Sequence, residues 1–321
     1  MKDSVHTNLL NAIKERVAPN TNMANLLTDI LYIGKEAAYR RLRGEVQFTL
    51  EEVAVIAKTL EISLDNIIGQ SRSEKSKPFQ LKLTRYIDPG EGDYAQMEEY
   101  IALLNKSRDY PHREFGYSAN TFPQTLYLQF PYLAKYYMFR WSYQWHGLSD
   151  IHSLDRIVIS PKLSDIFQRY LEEAMHITKT YYIWDSKIFH YLVNDIKSFS
   201  DINFISKENV AALKEDILQL INKMETYAIK GQFDTGKRVE FYLSPITMDS
   251  TYSYLQMENF YLSQVNAFTL NAAVSLDKDV CDHLKTWIDS LKRLSILISE
   301  SGEIQRIQFF REQRELINNT L

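Results

Sequence analysis

The sequence of 321 residues contains one cysteine, Cys281, so no disulfide can close within the chain and no zinc site can be built from thiolates. Glycine and proline are scarce, at 10 and 8 residues, which excludes collagen-like and low-complexity classes and favours helices over long loops. No apolar run reaches the roughly 18 residues that a membrane-spanning helix needs. The most apolar stretch, TLYLQFPYLAKYYMFRWSYQW, is broken by Lys135 and Arg140. The first residues, MKDSVHTNLLNAIKERV, lack the apolar core of a secretory signal, so a reducing cytoplasmic setting is expected. A net charge of −4 argues against a uniformly basic surface but leaves room for a local basic patch.

Catalytic and metal signatures are equally thin. GQFDTGKR, residues 231–238, has the spacing of a phosphate-binding loop, but Arg238 stands where a Ser or Thr should hold Mg²⁺. It also follows a helical pattern and precedes a strand pattern, the reverse of the order that motif requires. A helix cap and a turn into a strand are therefore expected. DPGEGD, residues 88–93, reads as a plain turn. Seven histidines include no H-E-x-x-H pair, and no metal or cofactor is expected. Cys281 and His283 lie too close along one helix to face each other as a nucleophilic dyad. No catalytic constellation emerges, and the chain reads as a non-enzyme.

One change in composition divides the chain. GQSRSEKSKPFQLKLTR, residues 69–85, reads as a linker. We expect a first domain over residues 1–70, a linker over 71–77 and a second domain over 78–321. The first domain reads as five short helices. Thr49 and Glu52 form a capping-box pattern before the fourth, and SLDNIIG forms the fifth.

The third helix is the informative one. Over residues 35–43, helical spacing gathers Glu36, Tyr39, Arg40 and Arg43 on one face, with Ala38 and Leu42 on another. Residues 1–70 carry eight Lys and Arg against nine Asp and Glu, yet four of the eight lie between positions 35 and 43. A helix, a short turn and a second helix with an exposed basic face is the helix-turn-helix arrangement, whose second helix suits the major groove of duplex DNA.

Residues 22–69, NMANLLTDILYIGKEAAYRRLRGEVQFTLEEVAVIAKTLEISLDNIIG, resemble the lambda-repressor-like (Cro/CI, XRE-type) DNA-binding domain. The resemblance covers about the first 70 residues. It implies that residues 26–31 belong to the positioning helix and residues 35–43 to the recognition helix. Lys35, Glu36, Tyr39 and Arg40 would face bases or phosphates, and Arg41 and Arg43 would contact phosphates. Tyr32 stands where that family usually has a small residue, often Gly, at a turn position of positive φ. Thr28 replaces the usual Ala where the helices pack. A single such domain with few phosphate contacts should bind weakly, so a homodimer on a two-fold operator is expected.

The second domain reads as mainly helical with an α+β part. Helices are expected over 94–106, 130–146, 163–182, 186–198, 207–230, 277–299 and 302–318. Strands are expected at FQLKLTRYI, QTLYLQF, RVEFYLSPI, TYSYLQM and YLSQVNAFTLNAAV, in an antiparallel sheet. The stretch FPQTLYLQFPYLAKYYMFRWSYQWHG is dense in aromatics. Core is the first explanation for it, and a ligand pocket built on Tyr137, Arg140, Trp141 and Gln144, or a subunit interface, is the alternative. The leading functional expectation is a transcription regulator that binds double-stranded DNA through its first domain. The second domain would dimerise and respond to an effector. The alternatives are an enzyme in the second domain or a first domain that docks onto protein.

Overall fold

The computed structural model describes residues 5–17, 21–60, 62–64, 67, 79–146, 152–267 and 269–321. The chain divides into two compact units, Met1–Phe79 and Gln80–Leu321.

Four helices of the first unit are α1 (Val5–Arg16), α2 (Met23–Leu31), α3 (Lys35–Leu42) and α4 (Leu50–Thr59). Much of the fifth expected helix and the whole expected linker, 71–77, lie outside the described residues. Each boundary has a local cause. Asn22 caps α2, its side-chain oxygen accepting from the N–H groups of Ala24 and Asn25 at 3.0 and 3.1 Å. The capping box at α4 forms as the sequence implies. The Thr49 hydroxyl accepts from Glu52 N–H at 3.2 Å, and Glu52 accepts from Thr49 N–H at 3.0 Å. Leu9, Ile13, Ala24, Leu27, Ala38, Ile56, Ile62 and Ile67 close the core. Burying each larger aliphatic side chain contributes about 1.5–3 kcal/mol.

The second unit is a mixed eight-stranded sheet with helices on it. Its elements run β1 (Gln80–Lys82), α5 (Glu91–Lys106), β2 (Arg113–Ala119), α6 (Gln124–Tyr127), α7 (Pro131–His146), α8 (Pro161–Ala174) and β3 (Lys179–Asp185). They continue through α9 (Ile188–Asp201), α10 (Lys207–Lys230), β4 (Arg238–Ser244), β5 (Tyr252–Met257), β6 (Phe260–Ala267) and β7 (Asn271–Ser275). The chain ends with α11 (Lys278–Leu294), β8 (Ile296–Leu297) and α12 (Glu303–Thr320). The strand order is β1-β7-β6-β5-β2-β3-β4-β8.

The expected antiparallel pairing holds for β1, β5, β6 and β7. β2 and β8, which the sequence pattern did not mark as strands, add antiparallel pairs with β5 and β4. The centre differs: β2, β3 and β4 run parallel, joined by helical crossovers. Alternate residues of β3 feed opposite faces. Tyr182 and Trp184 meet the helical core that includes α10, while Tyr181 and Ile183 meet Cys281 and Ile288 of α11. Both faces of the central strands are therefore covered, as parallel strands require.

Several expected boundaries move. The strand expected at QTLYLQF is the one-turn helix α6 after Pro123. The helix expected over 163–182 stops at Ala174, and its last residues belong to β3. The strand expected at FQLKLTRYI shrinks to β1, and YLSQVNAFTLNAAV divides into β6 and β7. The helix expected over 277–299 ends at Leu294 and is followed by β8. The helix at 207–230 forms as read, with Ser206 capping it and Gly231 ending it in the left-handed region at φ 64°.

Candidate nucleic-acid interface

The turn between α2 and α3 sets the candidate site. α2 ends on Tyr32, which adopts φ 53° and ψ 39°, the left-handed conformation that reverses the chain. Gly34 then returns to extended backbone, and its carbonyl accepts from Ala38 N–H at 3.0 Å to open α3. Ala24, Leu27 and Ala38 are fully buried where the two helices meet. Thr28, which replaces a smaller residue in the resembling family, turns its hydroxyl onto the Ala24 carbonyl at 2.8 Å. That back-bond satisfies the hydroxyl within its own helix and keeps it out of the apolar contact.

The opposite side of α3 faces solvent. Lys35, Glu36, Tyr39, Arg40 and Arg43 are all exposed. Arg43 donates to Glu45 at 2.6 Å and to Glu36 at 3.2 Å, and Arg40 lies 3.7 Å from Glu45. These pairs hold extended arginines in place, and each contributes little because water screens it. Exchange of these carboxylates for phosphate oxygens is accordingly inexpensive. The Arg43 hydrogen bond also holds the Glu45 carboxyl below its usual range.

Arg41 differs from its neighbours. Its guanidinium forks onto Glu52 with N–O distances of 2.9 and 2.6 Å, and it donates to the Ala37 carbonyl at 3.2 Å. Both partners are largely covered, at 14 and 16 % side-chain exposure. Arg41 therefore ties α3 to the capping box of α4, which departs from the phosphate contact that the resemblance implied for it. The spacing of basic residues could not reveal this, because the partner lies 11 positions away on another helix.

The sequence places Tyr32 at the turn but gives no reason to count it among the DNA-facing residues. Its side chain is 94 % exposed, at the entry to α3 and next to the basic face.

The second unit holds the four residues of the expected pocket, and they do not assemble into one. Arg140 pairs with Asp195 at 3.1 Å. Trp141 is buried, and its indole N–H donates to Asn271 at 2.6 Å. Gln144 accepts from the Thr269 hydroxyl at 2.5 Å. Tyr137 lines only a narrow cleft and stacks on Tyr127 with ring centroids 3.9 Å apart. The aromatic stretch builds core. Gly231–Arg238 is the helix cap and turn that its order predicted, with a bridge between Gln232 and Arg238. Cys281 is fully buried, and burial pushes its thiol up to about 11. His283 hydrogen-bonds the carbonyl of Asp279, so no dyad forms. Among the described residues no group of three His, Cys, Asp or Glu side chains can hold a metal ion.

Residues 2–99 match the BetR domain family, which is associated with regulators. The match takes in α1–α4 and continues through β1 into α5. Neither a curated protein nor a solved structure matches the chain. The N-terminal part is thus a helical domain, compatible with a regulator. No helix among the described residues is long and apolar enough to cross a membrane.

Proposed function

We propose that the protein is a cytoplasmic transcription regulator that binds duplex DNA by inserting α3 into the major groove. The observation that carries this reading is the α2–Tyr32–α3 turn, which buries Ala38 and leaves Lys35, Tyr39, Arg40 and Arg43 in solvent. An α-helix with its side chains is about 10–12 Å across, which suits a groove about 12 Å wide. Lys35 and Tyr39 then reach base edges together with Glu36, while Arg40 and Arg43 leave their carboxylates for phosphates. Tyr32 contacts the sugar-phosphate backbone or a base at the start of the helix. The protein acts by binding and not by catalysis.

Few cations serve each α3, so a single copy binds weakly. The reading therefore includes a homodimer, with two recognition helices about 34 Å apart on a two-fold operator. An effector or partner that altered that spacing would shift the population of binding-competent protein.

The test is titration of the full chain with duplex DNA from upstream of its own coding sequence, over a range of salt concentrations. Arg40→Ala/Arg43→Ala and a scrambled duplex serve as controls. The reading requires sequence-selective binding whose salt slope falls by about 1 for each phosphate contact removed. Equal affinity for the scrambled duplex, or no binding to any DNA, refutes it.

A further inference from the structure

The second unit has a half-open cavity of about 230 Å³ that none of the readings above uses. It lies between the antiparallel half of the sheet and the helices α5, α6 and α8. Its walls are largely aromatic: Phe115 and Tyr117 of β2, Tyr100 of α5, Tyr170 of α8, and Phe122 and Tyr127 around α6. A cavity of about 150 Å³ accommodates benzene, so this one has room for a compound of two fused rings.

The polar groups in the walls show a bias. Among the described residues Lys82 is the one charged side chain that lines the cavity, and it sits on the exposed strand β1. No carboxylate is present to balance a cation. The hydroxyl of Tyr127 is buried and has no hydrogen-bond partner among the described residues. An unpaired buried hydroxyl is destabilising, and a bound acceptor relieves it. Gln96 accepts from the Thr84 hydroxyl at 2.9 Å, and Gln264 accepts from the Ser253 hydroxyl at 3.1 Å. Each carboxamide thus has its oxygen engaged and can donate through its N–H groups, Gln264 being half-buried and Gln96 exposed. Burial pushes Tyr100 up to about 12 and Tyr170 well above its usual value, so these phenols stay protonated and available as donors. Flat apolar walls disfavour a charged ligand of either sign, the absence of a carboxylate disfavours a cation further, and the free donors select acceptor atoms on a ring.

We propose that this cavity is a binding site for a small, uncharged, planar ring compound that presents a carbonyl or ring nitrogen to Tyr127, Gln96 and Gln264. The site stands on the second unit alone, and its occupancy can be measured without DNA.

Coumarin, a neutral bicyclic lactone, is a suitable probe, with coumarin-3-carboxylate as the anionic counterpart and choline as a cation. Each is titrated calorimetrically into the full chain. Coumarin binds saturably at one site, and each charged compound binds at least about tenfold more weakly. Tyr127→Phe weakens coumarin by about three- to tenfold without lowering the urea midpoint, because the hydroxyl has no protein partner to lose. Ile101→Phe, which fills the cavity from α5, abolishes binding while far-UV circular dichroism remains that of the parent. The proposal is overturned by absence of saturable coumarin binding, by unchanged binding in Ile101→Phe, or by tighter binding of coumarin-3-carboxylate or choline. Unchanged affinity in Tyr127→Phe overturns the role given to that hydroxyl.

Discussion

Replacing Tyr32 with glycine should stabilise the first unit and weaken DNA binding at the same time. Tyr32 holds φ 53° and ψ 39°. The left-handed conformation costs a residue with a Cβ about 1–2 kcal/mol, and glycine adopts it freely. Against that gain, glycine makes the unfolded chain more flexible, at a cost of about 0.5–1 kcal/mol. The side chain is 94 % exposed, so its removal forfeits almost no packing. The net is a stabilisation of about 0.5–1 kcal/mol. Tryptophan fluorescence cannot report it, because the four tryptophans lie at 141, 145, 184 and 287. Amide hydrogen exchange of α1–α4 in the full chain can, and protection in Tyr32→Gly should rise about threefold. Affinity for the operator duplex should fall in the same variant. Equal or faster exchange would refute the claim of strain at this position. Unchanged affinity would remove Tyr32 from the interface and leave its presence at a glycine-favouring position unexplained.

Three further outcomes follow from the contacts. Arg41→Ala should destabilise the first unit by about 1–3 kcal/mol, because Glu52 loses its forked partner, whereas Arg43→Ala should leave stability nearly unchanged because water screens its pairs; hydrogen exchange separates the two. Gly116→Ala should destabilise the second unit by about 1–3 kcal/mol, since a Cβ there would lie 2.4 Å from the Tyr254 ring; urea denaturation followed by tryptophan fluorescence measures it. Burial opposes ionisation of Glu114, but hydrogen bonds from Lys285 and Tyr254 and the charges of Lys285 and Lys179 outweigh it and bring its carboxyl down to about 2. A lowered folded value means that the carboxylate stabilises the protein above its unfolded value and loses that contribution as pH falls. The destabilisation in Glu114→Gln should therefore be full at neutral pH and shrink between about pH 4 and pH 2. A constant difference across that range would refute the assignment.

Local signals in the sequence proved readable where one element contains its own cause. The capping box of Thr49 and Glu52 and the Ser206–Gly231 limits of α10 are settled within a few residues of chain, and both appear as expected. The central strands gave no such signal. β2 and β3 are covered on both faces, so apolar residues do not alternate with polar ones, and Lys179–Tyr182 passed for the end of a helix. In α6, Leu126 and Leu128 mimic strand alternation, yet the segment is a single turn entered from Pro123.

The residues of α3 and the basic character of its face were determined by the sequence alone, since helical periodicity fixes which side chains share a face. Which arginines remain available was decided by tertiary structure. Arg41 is claimed by Glu52 of α4, and Arg43 stays in solvent. The N-terminus of α7 is another case: Asp216 of α10, 84 and 83 positions away, accepts the N–H groups of Tyr132 and Leu133 at 2.7 and 3.1 Å. The cavity is the clearest. Its walls and donors come from β2, α5, α6, α8 and β6, and only their convergence, with the Tyr127 hydroxyl left unpaired, makes a site. Periodicity and capping act over a few residues, whereas ion pairing, desolvation and cavity shape depend on groups that the chain brings together from afar.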